Sequence, residues 1–248
     1  MIRMTLRITT LAERPELGVW DMANSWPAFM MNDPIADLFY EVAGTVHADH
    51  VLVADDDAEP GKVVARGCMM PFFFDGTELP DDGWDGVLRR GWLARERGPR
   101  PNMISALEIT IRRDLLGHGL SPRMLRAMRE QAARLGFTEL LAPVRPNLKH
   151  LEPHTPMSEY ASRTRPDGLP HDAWLRVHVR AGGKIVRVAP RSMVVPGTLA
   201  EWRGWTGLPF DRSGTVEVPG ALSPVHVVVE QDYAVYVEPN VWVSHPLS

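Results

Sequence analysis

Several classes of protein are excluded by what this chain has little of. Its 248 residues contain one cysteine, Cys68, so no disulfide can close within it. Lysine occurs only at Lys62, Lys149 and Lys184, and the formal net charge is −4, which removes any bulk electrostatic case for nucleic acid or an anionic membrane. No apolar run reaches the length of a membrane span. The opening "MIRMTLRITT" puts polar residues where a signal peptide needs an apolar stretch, so a cytoplasmic protein is expected. There is no Gly-Lys-Ser/Thr phosphate loop, no third glycine for a dinucleotide fingerprint, and no Gly-x-Ser-x-Gly elbow around Ser121. His150 and His154 have helical i, i+4 spacing, but Pro153 breaks the helix that would align them on a metal. Internal repeats and low-complexity segments are also missing.

What is present is an ordinary globular composition, 44% hydrophobic and 23% charged, in a chain long enough to bury a full core. The preference for arginine over lysine, with abundant Ala, Gly and Pro, points to a GC-rich bacterial genome; this concerns coding bias, not function. Near the N-terminus, Asn32 or Asp33 can cap a short helix at Pro34 with Ile35, Leu38, Phe39 and Val42 on one face. "HVLVADD" and "KVVARGCMMPFFF" read as strands joined by the acidic turn "DDDAEPG". A polar Gly/Pro-rich insertion follows, with one helix near 84–95. The acidic clusters at 55–59 and 78–85 read as solvated loops.

The most regular part of the chain begins with the strand "MISALEITI" and continues into "RRDLLGHGLSPRML". Leu125, Met128, Ala132 and Leu135 recur at helical spacing, and Gly136 stands where a helix ends. Ser121 can cap this helix with Pro122 at its first position, or the helix can begin nearer Gly119. "FTELLAPV" is a second strand whose pairing is expected to end at Pro143. Strand, glycine turn, helix and strand make a right-handed parallel βαβ unit. The first amides of such a helix are unpaired and its positive end faces the turn, while Gly117 and Gly119 carry no Cβ to hold an anion away. "WLRVHVRAGGKIVRVAP" reads as a hairpin turning at Ala-Gly-Gly, which places His178 on a strand as a structural histidine. "PVHVVVE" and "YAVYVEPNVWV" are further strands, and Trp202 and Trp205 are packing residues of the C-terminal segment.

This order of hairpin, strand, Gly-x-Gly turn into helix, strand and hairpin resembles the GNAT superfamily of acyl-CoA-dependent N-acyltransferases. "LEITIRRDLLGHGLSPRML" is similar to its acyl-CoA motif, Gln/Arg-x-x-Gly-x-Gly/Ala, with the glycines at Gly117 and Gly119 and Asp114 in the leading position. Arg113 stands one residue early. The chain as a whole also resembles a GNAT-like group of actinobacterial type. The resemblance implies an α/β fold with a mixed, mostly antiparallel sheet, flanked by helices and splayed into a V between two parallel strands. It places a GNAT-like core over 1–190, with the acyl-CoA motif at 104–147, and a β-rich extension over 191–248. Two roles are open to the extension, closing an acceptor pocket or forming a homodimer contact. Within it, Glu238, Asn240 and His245 are expected to cluster.

The same resemblance implies acetyl-CoA or another acyl-CoA as co-substrate and a small-molecule amine as acceptor, joined by direct attack in a ternary complex. Its pantetheine would pair with backbone of Ile109, Thr110 and Ile111. Its pyrophosphate would meet Arg113 and the turn Leu116, Gly117, His118, Gly119, Leu120 and Ser121, with Asn147 as a further contact. Glu108 is the candidate base, its side chain either reaching the amine or pointing away to pair with an arginine. Tyr160, the only tyrosine in 145–172, is the candidate acid or else a packing residue, since "HLEPHTPMSEYASRTRPDG" lacks the family's usual Tyr-x-x-x-Gly-Phe. A catalytically degenerate fold that binds CoA or a partner without turnover is the alternative.

Overall fold

The computed structural model describes residues 6–23, 25–57 and 59–247. Its described strands are β1 (Leu6–Thr10), β2 (Val51–Asp56), β3 (Val63–Phe72), β4 (Met103–Ile111), β5 (Glu139–Val144), β6 (Lys184–Gly197), β7 (Gly214–Val216), β8 (Val225–Val228) and β9 (Tyr233–Pro246). They form one sheet in the order β1-β2-β3-β4-β5-β9-β8-β7, with β6 on the other edge of β9. Only β4 and β5 pair in parallel; the other pairings are antiparallel. The helices are α1 (Asp37–Tyr40), α2 (Gly83–Glu96), α3 (Leu120–Arg134), α4 (Met157–Ser162), α5 (Ala173–Arg180) and α6 (Leu199–Thr206).

Each face of the sheet carries its own apolar cluster. On one, Met124, Leu125 and Met128 of α3 and Leu175 of α5 pack against Leu140, Ala142 and Val243. On the other, Phe39 of α1, Val87 and Leu88 of α2 and Trp202 of α6 pack against Met70, Tyr236 and Trp242. The helix of the βαβ unit starts at an N-cap Gly119 with φ 75° and ends beside Gly136 at φ 89°, the left-handed conformations expected of glycine at those places.

Two irregularities open the sheet. Parallel pairing between β4 and β5 is confined to Ile104 with Leu140 and Ser105 with Leu141, after which the strands diverge. Pro143, with no N–H to donate, lies beyond that point, while β5 stays paired to β9 as far as Val144. The register of β3 on β4 also shifts between Cys68 and Met69, which face Glu108 and Ala106, so Leu107 is the extra residue of a bulge. The splay and the bulge lie side by side.

Four expectations need correction. Residues 173–180 are a helix, not the first arm of a hairpin. The Asp172 carboxylate accepts from the Trp174 and Leu175 amides at 2.9 and 3.0 Å, and this cap with Gly182 at φ 85° outweighs the β-branched alternation. The boundary at 190/191 falls inside β6, and β9 from the supposed extension is the strand that pairs β5, so 191–248 is built into the sheet. The N-terminal helix shrinks to α1, with a 3₁₀ turn at Ala28–Asn32 before it and Asp33 bonding the Ile35 amide. Each acidic cluster also has a buried member: Asp55, held by Arg7 and Arg14, and Asp85.

Candidate active site

The diverging strands leave a cavity of about 600 Å³ through the middle of the sheet. Ala106 to Ile109 of β4 and Ala142 to Val144 of β5 form its walls. On the α3 face it is bounded by Arg113, Leu116, Ser121, Asn147 and, from α5, Trp174 and His178. Trp26 and Trp84 close it towards the opposite face and also line a second cavity of about 370 Å³. That second space is walled by Trp20 and Tyr40, by Met22, Met30, Met31 and Met193, and by the charged Asp37 and Arg66. Two tryptophans thus stand between a long cleft on one side and an aromatic, methionine-rich chamber on the other.

At the α3 end no side chain caps the helix, so its leading amides remain available to an anion. Gly117 and Gly119 have φ of 81° and 75°, and a Cβ at either would meet no atom within 4 Å. These glycines are therefore required by backbone conformation, and the space in front of them is open. Asp114 turns away to Arg112 at 2.8 Å, which lowers its carboxyl from the ordinary range. His118 is exposed, with Nδ1 3.1 Å from the Leu116 carbonyl. Leu120 is buried in the core, which leaves only its backbone to a ligand. Ile109 and Ile111 line the cavity, whereas the Thr110 hydroxyl turns to Glu108 Oε2 at 3.2 Å.

Glu108 sits at the bulge, buried, and its carboxylate is the most densely bonded group of the site. Oε1 accepts from Arg66 Nε at 2.7 Å and from the Cys68 thiol at 3.3 Å; Oε2 accepts from Trp26 Nε1 at 3.2 Å and from Thr110. The carboxylate pairs with an arginine, as one of the two expectations had it, and also lines the cavity. The buried Tyr40 phenol is pushed well above the usual value by burial and by the Glu108 charge, so it stays protonated. Cys68 is held as a thiol by the same two causes.

Tyr160 lies elsewhere. It is buried, its hydroxyl donates to Asp172 Oδ2 at 3.0 Å, and it lines neither cavity. Burial and the Asp172 charge raise its hydroxyl above the ordinary value. The cluster expected in β9 divides: Glu238 and Asn240 join Tyr236 and Arg145 in a buried network at the cavity wall, while His245 pairs with His178 at 2.9 Å. His178 is one of the cavity residues, with Trp26, Trp84 and Trp174, that the sequence alone does not place there; its segment reads as a strand. The Asp172 cap, with a glycine ten residues later, was the available signal.

A sheet splayed between its one parallel pair, with a bare helix N-terminus at one end of the gap and a carboxylate at a bulge inside it, defines a class: the GNAT architecture. No family model matches the chain. It is 31% identical, over 271 aligned positions covering 97% of this chain and 93% of the relative, to the arginine N-acetyltransferase avaD of Aspergillus versicolor. Among solved structures it is similar to the loading GNATL domain of CurA from Lyngbya majuscula, with a TM-score of 0.58 at 17% identity over 98% of both chains. It is also similar to the GNAT-like decarboxylase GphF in complex with isobutyryl-CoA, with a TM-score of 0.55 at 14% identity over 98% of this chain and 100% of that one. The chain belongs to the GNAT superfamily of CoA-dependent N-acyltransferases. Among the described residues no helix is long and apolar enough to cross a membrane.

Proposed function

We propose that this protein transfers an acetyl or similar small acyl group from CoA to an amine of a cationic small molecule of the arginine type. The observation that carries the reading is the arrangement of the site: the start of α3, the sheet gap and the buried carboxylate share one cavity, and a second chamber lies against it across Trp26 and Trp84. The pyrophosphate lies on the amides of 116–121 near Arg113, with Asn147 beside it. The pantetheine runs down the gap along 109–111 and brings the thioester to the bulge. The acceptor enters from the chamber, where Asp37 offers a carboxylate to a cationic end and Trp20, Tyr40 and the methionines cover its aliphatic part. The printed name of the fungal relative supports an arginine-type acceptor.

The neutral amine attacks the thioester carbonyl carbon, and its proton passes to Glu108, directly or through one water. Oε1 is fixed by the short bond to Arg66, so Oε2, with its two longer bonds, is the oxygen that exchanges a partner for the incoming proton. A backbone N–H of the bulge holds the tetrahedral oxyanion, a donor of a kind worth roughly 10²–10³ in rate. Tyr160 takes no part in proton transfer; it fastens the cap of α5.

The test is a thermal melt with acetyl-CoA, followed by thiol release on adding L-arginine. Ligand binding to the folded state raises the melting temperature by mass action. Millimolar acetyl-, longer acyl- and free CoA that all leave the melt unmoved would refute the reading. A CoA-stabilised protein that releases no thiol with any cationic amine would confine it to binding.

A further inference from the structure

His178 and His245 form a buried imidazole pair at the cavity wall, on the face of the sheet opposite Glu108, and nothing above gives them work. Both rings are nearly inaccessible, yet His178 lines the cavity and Trp174 closes over it at 4.7 Å between centroids. His178 Nδ1 lies 2.9 Å from His245 Nε2, and His245 Nδ1 has no partner. The backbone makes room for this contact: a Cβ on Gly183 would stand 2.6 Å from His245 Cε1.

The unpartnered nitrogen decides where the protons are. One proton lies between the rings. If His178 Nδ1–H gave it, His245 would carry its own proton on Nδ1, an orphaned buried donor. If His245 Nε2–H gives it, the orphan is only an acceptor, the less costly of the two. The second arrangement puts the His178 proton on Nε2, the ring nitrogen left free for the cavity. Burial lowers both rings, His178 to about 3 and His245 to about 4, so each is neutral at physiological pH.

Building on the function proposed above, we infer that the neutral His178 is a catalytic residue whose Nε2–H holds the departing thiolate, with His245 as the positioning residue that fixes its tautomer. The amine nitrogen bonds to the carbonyl carbon and its proton goes to Glu108. The carbon–sulfur bond breaks with its electron pair on sulfur, and the sulfur leaves as a thiolate hydrogen-bonded to Nε2–H. Base and leaving-group donor then lie on opposite faces of the sheet, on either side of the gap that holds the thioester.

Three measurements on the full chain test this. First, His178→Met keeps the volume and removes the donor; it is expected to lower kcat roughly 10–100-fold, as a lost hydrogen bond to a charged group does, with the KM for acetyl-CoA within about twofold. His178→Gln keeps an N–H and is expected to recover most of that loss. Second, His245→Leu is expected to lower kcat several-fold at constant KM, and His245→Gln, which restores an N–H, to recover it. Third, in the wild-type protein the thiol of bound CoA is expected to ionise at a lower pH than free CoA, read by thiolate ultraviolet absorbance. A His178→Met enzyme that melts like the wild type and turns over at the wild-type rate overturns the inference. So does bound CoA that titrates like free CoA, which serves even where a variant fails to fold. A wild-type protein that acetyl-CoA does not stabilise defeats the underlying function instead, and is recognised before any variant is made.

Discussion

Trp26 Nε1 donates to Glu108 Oε2 across 3.2 Å, and so joins the N-terminal loop to the bulge of β4 at the wall shared by both cavities. Replacing the carboxylate by an amide keeps its shape and removes its basicity. Glu108→Gln is expected to lower kcat by about 10²-fold or more while acetyl-CoA still stabilises the protein as before. Steady-state kinetics beside a thermal melt check this, and unchanged turnover would take Glu108 out of the proton path. Trp26→Phe keeps the ring but not the donor, so it should raise the KM for the amine more than the KM for acetyl-CoA.

The same carboxylate makes Arg66 a stability residue. Both partners are buried at 2.7 Å, and Arg66 also donates to the Val19 carbonyl at 3.3 Å and lies over the Trp20 ring at 5.3 Å. Arg66→Ala leaves an uncompensated charge in the core, a change that costs about 3–5 kcal/mol. Urea denaturation should register a loss of that order. A double variant, Arg66→Met with Glu108→Gln, should lose clearly less, because no buried charge is then left alone.

At the other end of the cleft, Gly119→Ala tests the anion cradle. The added methyl meets no protein atom, so its direct cost is the left-handed backbone of an L-residue, about 1–2 kcal/mol. If the pyrophosphate lies on this turn, the methyl and the shifted amides should also weaken acetyl-CoA by about tenfold, read by calorimetry. Gly136→Ala has the same kind of φ at the far end of α3 and provides the control, a similar stability loss with CoA affinity unchanged.

Much of this site was legible because its signals are local. Strand 103–111, the glycine turn, the helix and strand 139–144 are each specified by periodicity and glycine placement within a few residues. Glu108 stood out as an acid on the central strand. The partners that define its chemistry did not, since Arg66, Trp26 and Tyr40 come from distant segments and meet it only through the sheet order and the bulge. His178 was hidden for a different reason. Val177, His178 and Val179 alternate like a strand, and the cap at Asp172 together with tertiary packing overrides that preference. The seating of β9 beside β5 had no local signal at all, because strand pairing over such a separation is decided by which edge remains open.

The last prediction concerns Asp33 and Asp85, two interacting carboxylates that each keep one buried oxygen, Asp33 Oδ2 and Asp85 Oδ1, without a hydrogen-bond partner. Both are buried. Asp33 also takes the Ile35 amide at 2.9 Å, and Asp85 takes the Val194 amide at 3.0 Å and Arg89 at 3.3 Å. Two adjacent carboxylates cannot both ionise cheaply, so burial and the Asp33 charge push Asp85 well above the ordinary value of 3.8, and burial raises Asp33 as well. Above 3.8 the unfolded chain releases protons that the folded pair retains, so folding stability falls as pH rises until the pair itself deprotonates. The stabilisation is complete only below pH 3.8, declines through the neutral range and is gone once the folded pair deprotonates, for Asp85 at about 9. Asp85→Asn removes the shared titration, and its melting temperature should fall less than that of the wild type between about pH 6 and pH 9. Asp33 follows Met30 and Met31, and Asp85 follows Trp84, all of which line the chamber. The KM for the amine should therefore rise with alkali in the wild type more than in the variant. Parallel melting curves for the two proteins across that range would show that the pair shares no proton.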